Sequence, residues 1–153
     1  MKISELLNQD SIVADLQATD KPGVLRELTD TLLINEPDLN RNDVLEVLQE
    51  REKLGSTGIG DGVAIPHGKL SGIPELKLVF GRSKSGVDFE SMDGQPAHLF
   101  FLLVAPEESV GVHLKTLARI SKLLKDSVVR RKLLEAPDRD AIYQAILDEE
   151  DQS

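Results

Sequence analysis

Apolar positions along the chain change period several times, and each change marks an element. Near the start, Ile3, Leu6 and Leu7 have helical spacing, and the short apolar segment "SIVADL" (11–16) that follows predicts a strand. Asp20 and Pro22 then open a helix, because an aspartate side chain accepts from first-turn N–H groups and proline is tolerated there. Val24, Leu25, Leu28 and Leu32 share its inner face, and "INEPDLN" (34–40) interrupts it. The segment "RNDVLEVLQEREKLGS" (41–56) repeats the helical pattern through Val44, Val47 and Leu48 and stops where Gly55 supplies a C-terminal signal. A glycine-rich loop follows directly. Beyond it, "ELKLVFGRS" (75–83) and "AHLFFLLVAP" (97–106) read as strands, and the second is so continuously apolar that it predicts a central strand covered on both faces. Three helical stretches close the chain: 109–126, 127–136 and 138–151.

Helical and strand periods interleave with no low-complexity linker and no internal repeat, which predicts one α/β unit. The 153 residues are enough for one domain with a proper core. Charge narrows the function classes. With 18 Lys and Arg against 27 Asp and Glu, the net charge of −9 repels a nucleic-acid backbone. The chain has no cysteine, which removes disulfides, thiol nucleophiles and cysteine zinc sites and suits a reducing cytoplasm. The N-terminus "MKISELLNQDSIVADL" has a lone lysine and no long apolar run, so neither a secretion signal nor a membrane span is expected.

The stretch "GSTGIGDGVAIPHGKL" (55–70) places five glycines around one of the chain's three histidines. Nucleotide motifs fail by counting. A phosphate-binding Walker loop needs four residues before its Gly-Lys pair and then Ser or Thr, but Gly62 and Gly68-Lys69 are five apart and Leu70 follows. A dinucleotide fingerprint fails as well, since Gly58-Ile59-Gly60 leads to Val63 and Gly60-Asp61-Gly62 to Ile65. What remains is a backbone whose N–H groups can approach an anion closely.

His67 stands at a strand end: Val63, Ala64 and Ile65 form a short apolar run, Pro66 cannot donate to a ladder, and Gly68 leaves space beside the ring. Arg51 follows Val44 by seven residues and Leu48 by three, so it lies on the apolar side of its helix, next to the glycine loop. A planar guanidinium there suits a phosphate. His113 precedes Leu117 by four, Ile120 by seven and Leu124 by eleven, which puts it on an inward face in the first turns of a helix, where the dipole favours negative charge. Each has a plain alternative taken alone: a surface histidine, a snorkelling arginine, a satisfied core histidine. His98, which begins "HLFFLLV", receives only the structural reading.

Together the three suit one task. A neutral imidazole is nucleophilic at physiological pH, and phosphoryl transfer needs little beyond positioning and positive charge around the phosphoryl oxygens. Arg51, the loop amides, the Ser56 and Thr57 hydroxyls and His113 are the candidates to supply both. A metal-dependent hydrolase is less well supported, because no histidine has a second at i+3 to i+5.

The segment "REKLGSTGIGDGVAIPHGKL" (51–70), together with "HLFFLLVAP" and "HLKTLARISKLL", resembles the IIA proteins of the bacterial phosphoenolpyruvate-dependent phosphotransferase system, in the mannitol/fructose-type superfamily, and within it the nitrogen-regulatory branch. That resemblance implies one type-2 IIA domain over residues 1–153, with a mixed five-stranded sheet flanked by helices. It also implies phosphorylation of His67 on Nε2, phosphate binding by Arg51, and His113 as the second active-site histidine, with Ser56, Thr57, Gly58, Gly60 and Gly68 forming the loop around the phosphate. The donor it implies is a histidine-phosphorylated carrier protein, with no metal or nucleotide cofactor. Cytoplasmic regulatory targets, or a transporter's IIB domain in the sugar-specific members, are the implied downstream partners.

Overall fold

The computed structural model describes residues 2–152. Its helices are α1 (Ile3–Leu6), α2 (Lys21–Asn35), α3 (Arg41–Lys53), α4 (Val110–Lys125), α5 (Ser127–Glu135) and α6 (Arg139–Gln152). Its strands are β1 (Ile12–Val13), β2 (Gly58–Gly60), β3 (Val63–Ala64), β4 (His67–Leu70), β5 (Lys77–Val87) and β6 (Ala97–Pro106), in the sheet order β1-β5-β6-β3-β2 with β4 also on β6. The sheet is mixed: β6 runs antiparallel to β5 and parallel to β3 and β4, β1 is parallel to β5, and β2 is antiparallel to β3.

The expected mixed sheet with flanking helices is present, with six strands rather than five. Residues 58–70, read from the sequence as a glycine-rich loop with one short apolar run at Val63–Ile65 that leaves His67 at a strand end, form three of them. Each is only two to four residues long and contains or adjoins glycine, so no alternation betrays it. The strand expected over "SIVADL" shrinks to Ile12–Val13, because Asn8 closes a 3₁₀ turn over Gln9–Ser11 by accepting from the Ser11 N–H at 3.0 Å.

β6 is central, as its composition predicts, and its side chains divide the core in two. Leu99, Phe101 and Leu103 point to a cluster with Ile120 and Leu124 of α4, Leu133 of α5 and Ile146 of α6. Phe100, Leu102 and Val104 point to the other cluster, with Leu25 and Leu28 of α2 and Val44 and Leu48 of α3. Each face has an edge-to-face aromatic pair, Phe80 with Phe101 at 5.0 Å and Phe89 with Phe100 at 5.4 Å between ring centres. The helix starts follow local chemistry: Asp20 accepts from Gly23 N at 2.8 Å, and Asn40 accepts from Asp43 N at 3.1 Å.

The edge beside β6 positions the site. β3 and β4 hold one constant register on it, Val63 opposite Leu99, Ala64 opposite Phe100, His67 opposite Leu103 and Gly68 opposite Val104. The ladder breaks only at Ile65 and Pro66, although Leu103 N still donates to Pro66 O at 2.9 Å. α3 reaches this edge from one face of the sheet and α4 from the other.

Candidate active site

His67 is the first residue of β4 and is half-buried. Its Nδ1 lies 2.7 Å from the carbonyl oxygen of Ile65. A carbonyl only accepts, so Nδ1 carries the proton, and the lone pair of the neutral ring is on Nε2. Burial holds the His67 pKa below the usual histidine value, the hydrogen bond to Ile65 opposes that, and the Arg51 charge lowers it further. The result is a neutral ring with its nucleophilic nitrogen turned away from the bonded carbonyl.

His113, the fourth residue of α4, is buried with 6% of its surface exposed. Its ring stands edge-on to that of His67, with centres 5.5 Å apart and planes at 87°. Burial lowers its pKa most, followed by His67 and Lys69. Among the described residues its Nδ1 has no hydrogen-bond partner, which is an expense for a buried ring unless something else comes to it. Arg51, in the last turn of α3, donates from Nη1 to Gly55 O at 2.9 Å. Arg51, His67 and His113 line one cavity of about 800 Å³ between α3, β4 and α4.

Gly68 lines the same cavity, and a Cβ there would sit 3.2 Å from Val47 Cγ2, so glycine lets α3 close on β4. The other loop residues lie elsewhere. Ser56 Oγ donates to Phe89 O at 2.7 Å and accepts from Gly58 N at 3.0 Å. Thr57 is buried and its hydroxyl donates to the Glu52 carboxylate. Gly58 packs against Ser91, and Gly60, at φ +100°, lies beside Asp93. None of these four lines the cavity. The structure thus brings together His67, His113, Arg51 and Gly68, and turns Ser56, Thr57, Gly58 and Gly60 towards other parts of the fold.

Sequence reasoning missed the rest of the cavity wall. Lys69 adds a second cation, and Asp43, Glu46 and Glu50 of α3 with Glu107 add carboxylates. Leu54, Val110 and Leu114 stand at its mouth, exposed by 84%, 48% and 61%. Helical spacing does not single these three out, since Leu54 follows Val47 by seven and Val110 precedes Leu117 by seven; their exposure, as clustered apolar surface that marks a contact region, emerges only from the fold. His98 stands apart: its Nδ1 donates to Ser83 O at 2.9 Å, where three extra residues of β5 bulge between Arg82 and Val87.

Comparison with known proteins agrees with this architecture. Residues 5–149 match the family described as "Phosphoenolpyruvate-dependent sugar phosphotransferase system, EIIA 2". The chain is 44% identical over 146 residues to a nitrogen regulatory protein of Bradyrhizobium diazoefficiens, covering 95% of each. It is also 44% identical over 147 residues to the fructose-specific EIIABC component of Bacillus subtilis, covering 95% of this chain but only 23% of that larger protein. Among solved structures, the nitrogen regulatory protein IIA-Ntr of Neisseria meningitidis superposes with a TM-score of 0.88 at 35% identity, over 94% of this chain and 98% of that one. The family match over nearly the whole chain and the relatives of near-equal length agree with the fold and with the resemblance carried by residues 51–70: the chain belongs to the EIIA type-2 family of the phosphoenolpyruvate-dependent sugar phosphotransferase system.

Proposed function

We propose that the chain, as one type-2 IIA domain, is a cytoplasmic phosphohistidine relay and regulator that accepts a phosphoryl group on Nε2 of His67 from a histidine-phosphorylated carrier protein. The observation that carries this reading is the Nδ1 bond to Ile65 O, which leaves Nε2 as the nucleophile beside His113 and Arg51 in one cavity. In the transfer step the Nε2 lone pair forms a bond to phosphorus while the donor's N–P bond breaks and its electron pair returns to the donor imidazole. Positive charge around the three spectator oxygens lowers the barrier, and Arg51, Lys69 and a proton-bearing His113 ring are the groups at hand. The exposed Leu54, Val110 and Leu114 at the mouth, ringed by carboxylates, suit a protein donor rather than a small molecule.

The regulatory half of the reading rests on near-full-length relatives named nitrogen regulatory proteins. Phosphorylation adds up to about two negative charges at the cavity, enough to change a partner's affinity without a change of shape. A second reading, a sugar-specific IIA passing phosphate to a transporter's IIB domain, is favoured by the equal identity to a fructose-specific component.

The test is incubation with phosphoenolpyruvate and the general phosphotransfer proteins, followed by site mapping. One acid-labile phosphoryl group is expected on His67 and none on His67→Ala; an acid-stable ester on Ser56 or Thr57 overturns the assignment. Partners captured by wild type, His67→Ala and the phosphorylated form should differ. Identical partner sets, with loss of uptake of one sugar in a strain lacking the chain, replace regulation with the sugar relay.

A further inference from the structure

Glu52 immediately follows Arg51, yet it faces away from the cavity and into the protein. Its side chain is only 6% exposed and pairs with Lys21 at 2.9 Å, itself 13% exposed. A carboxylate withdrawn from water this far costs free energy unless hydrogen bonds satisfy it, and Thr57 provides them. Glu52 Oε1 accepts from the Thr57 N–H at 3.1 Å and Oε2 accepts from the Thr57 hydroxyl. Thr57 is therefore held at two points by a group that is itself anchored by an ion pair.

From Thr57 the connection continues to the imidazole. The Thr57 carbonyl accepts from Ile65 N at 3.0 Å, and the Ile65 carbonyl accepts from His67 Nδ1 at 2.7 Å. This corner needs outside support. Pro66 has no N–H, so the ladder that holds β3 and β4 on β6 is open where the Ile65 carbonyl must be aimed. The N–H of Ile65 is the opposite side of that residue's backbone, and Thr57 holds it. The turn carrying Thr57 is further fastened by Arg51 on Gly55 O and by Ser56 on Phe89 O.

We propose that Glu52 is a positioning residue for His67: through Thr57 and the Ile65 backbone it fixes the carbonyl that keeps the proton on Nδ1 and leaves Nε2 available for phosphoryl transfer. The proposal rests on His67 being the acceptor, and its first readout does not depend on phosphorylation. Lys21 belongs to the same device as the cation paired with the withdrawn Glu52 side chain at 2.9 Å.

The experiment compares wild type, Glu52→Gln, Thr57→Val and Thr57→Ser by ¹⁵N NMR of the histidine rings and by the rate of phosphorylation. In wild type, His67 should show the Nδ1–H tautomer. Glu52→Gln and Thr57→Val should shift it towards a mixture of tautomers and slow phosphorylation by about 10- to 100-fold, whereas Thr57→Ser, which keeps the hydroxyl, should retain both wild-type properties. His98, bonded to Ser83 O outside this connection, should keep its signature throughout. Folded Glu52→Gln and Thr57→Val proteins with an unchanged His67 tautomer overturn the proposal, as does an Nε2–H tautomer in wild type. If Glu52→Gln does not fold, the valine and serine pair at position 57 decides. Phosphate on another residue of wild type defeats the relay reading alone, because the tautomer comparison still tests the positioning.

Discussion

His67 and His113 share one cavity, but only His67 has a ring nitrogen fixed by a carbonyl. Burial lowers both pKa values, which gives the site a defined response to acid. The unfolded chain titrates its histidines near about 6.5, so just below that pH it binds more protons than the native protein. The two histidines therefore contribute stability that is fully present above that pH and is lost as pH falls through the lower folded values. Urea midpoints measured from pH 7.5 to 5 should fall more in wild type than in His113→Leu, which removes one of the two. On the proposed relay, the same shift should place the acid limb of phosphoryl acceptance below the ordinary histidine value, a position that a pH profile of single-turnover phosphorylation reads directly. Arg51→Ala and His113→Ala should each raise the transfer barrier by about 2–4 kcal/mol while circular dichroism stays that of a folded protein; wild-type rates in both would return them to structural roles. These three residues stood out in the sequence because each broke its local pattern: a histidine among glycines, and an arginine and a histidine on apolar helix faces. The tautomer did not, since the carbonyl that sets it is aimed by the fold. Nor did the partners of Ser56 and Thr57, which lie on Phe89 and Glu52.

At the level of elements, close approach matters more than propensity. A Cβ on Gly81 of β5 would lie 2.7 Å from Leu28 Cδ2 and 2.9 Å from Leu16 Cδ1, both on buried side chains, so α2 packs on the sheet only over a glycine. Gly81→Ala should destabilise by about 1–3 kcal/mol, seen as a lower urea midpoint with an unchanged slope. Arg82, beside it, is fully buried, and its guanidinium donates to carbonyls: Ala14 O, and Leu133 O and Leu134 O at the end of α5. Arg82→Leu would strip those carbonyls of their donor and should cost about 1–3 kcal/mol for each left unsatisfied, read by chemical denaturation. Strands β5 and β6 were readable because their apolar runs are long. The pairings of β2, β3 and β4 were not, because short segments that contain or adjoin glycine have no period, and β3 and β4 find their partner on β6 36 positions away, as Val63 finds Leu99.

For the molecule as a whole, the sheet separates two cores, and the beginning and end of the chain are joined on one of them. Glu150 of α6 accepts from Ile3 N at 2.6 Å and Ser4 N at 2.7 Å, capping α1 from 147 and 146 residues away, and Tyr143 donates to Ser4 O at 3.1 Å. No local capping signal announces such a contact, which is why the sequence marks α1 only by its apolar spacing. The site depends on both cores. Arg51 is carried by α3 on one side of the sheet and His113 by α4 on the other, while His67 sits on the edge between them. A chain that has packed only one layer can present the imidazole with one companion but not with both. On the proposed relay, phosphoryl acceptance would then act as a proofreading step on folding: a half-finished molecule would take phosphate far more slowly than a finished one, and the phosphorylated pool would be weighted towards chains whose two halves have both closed.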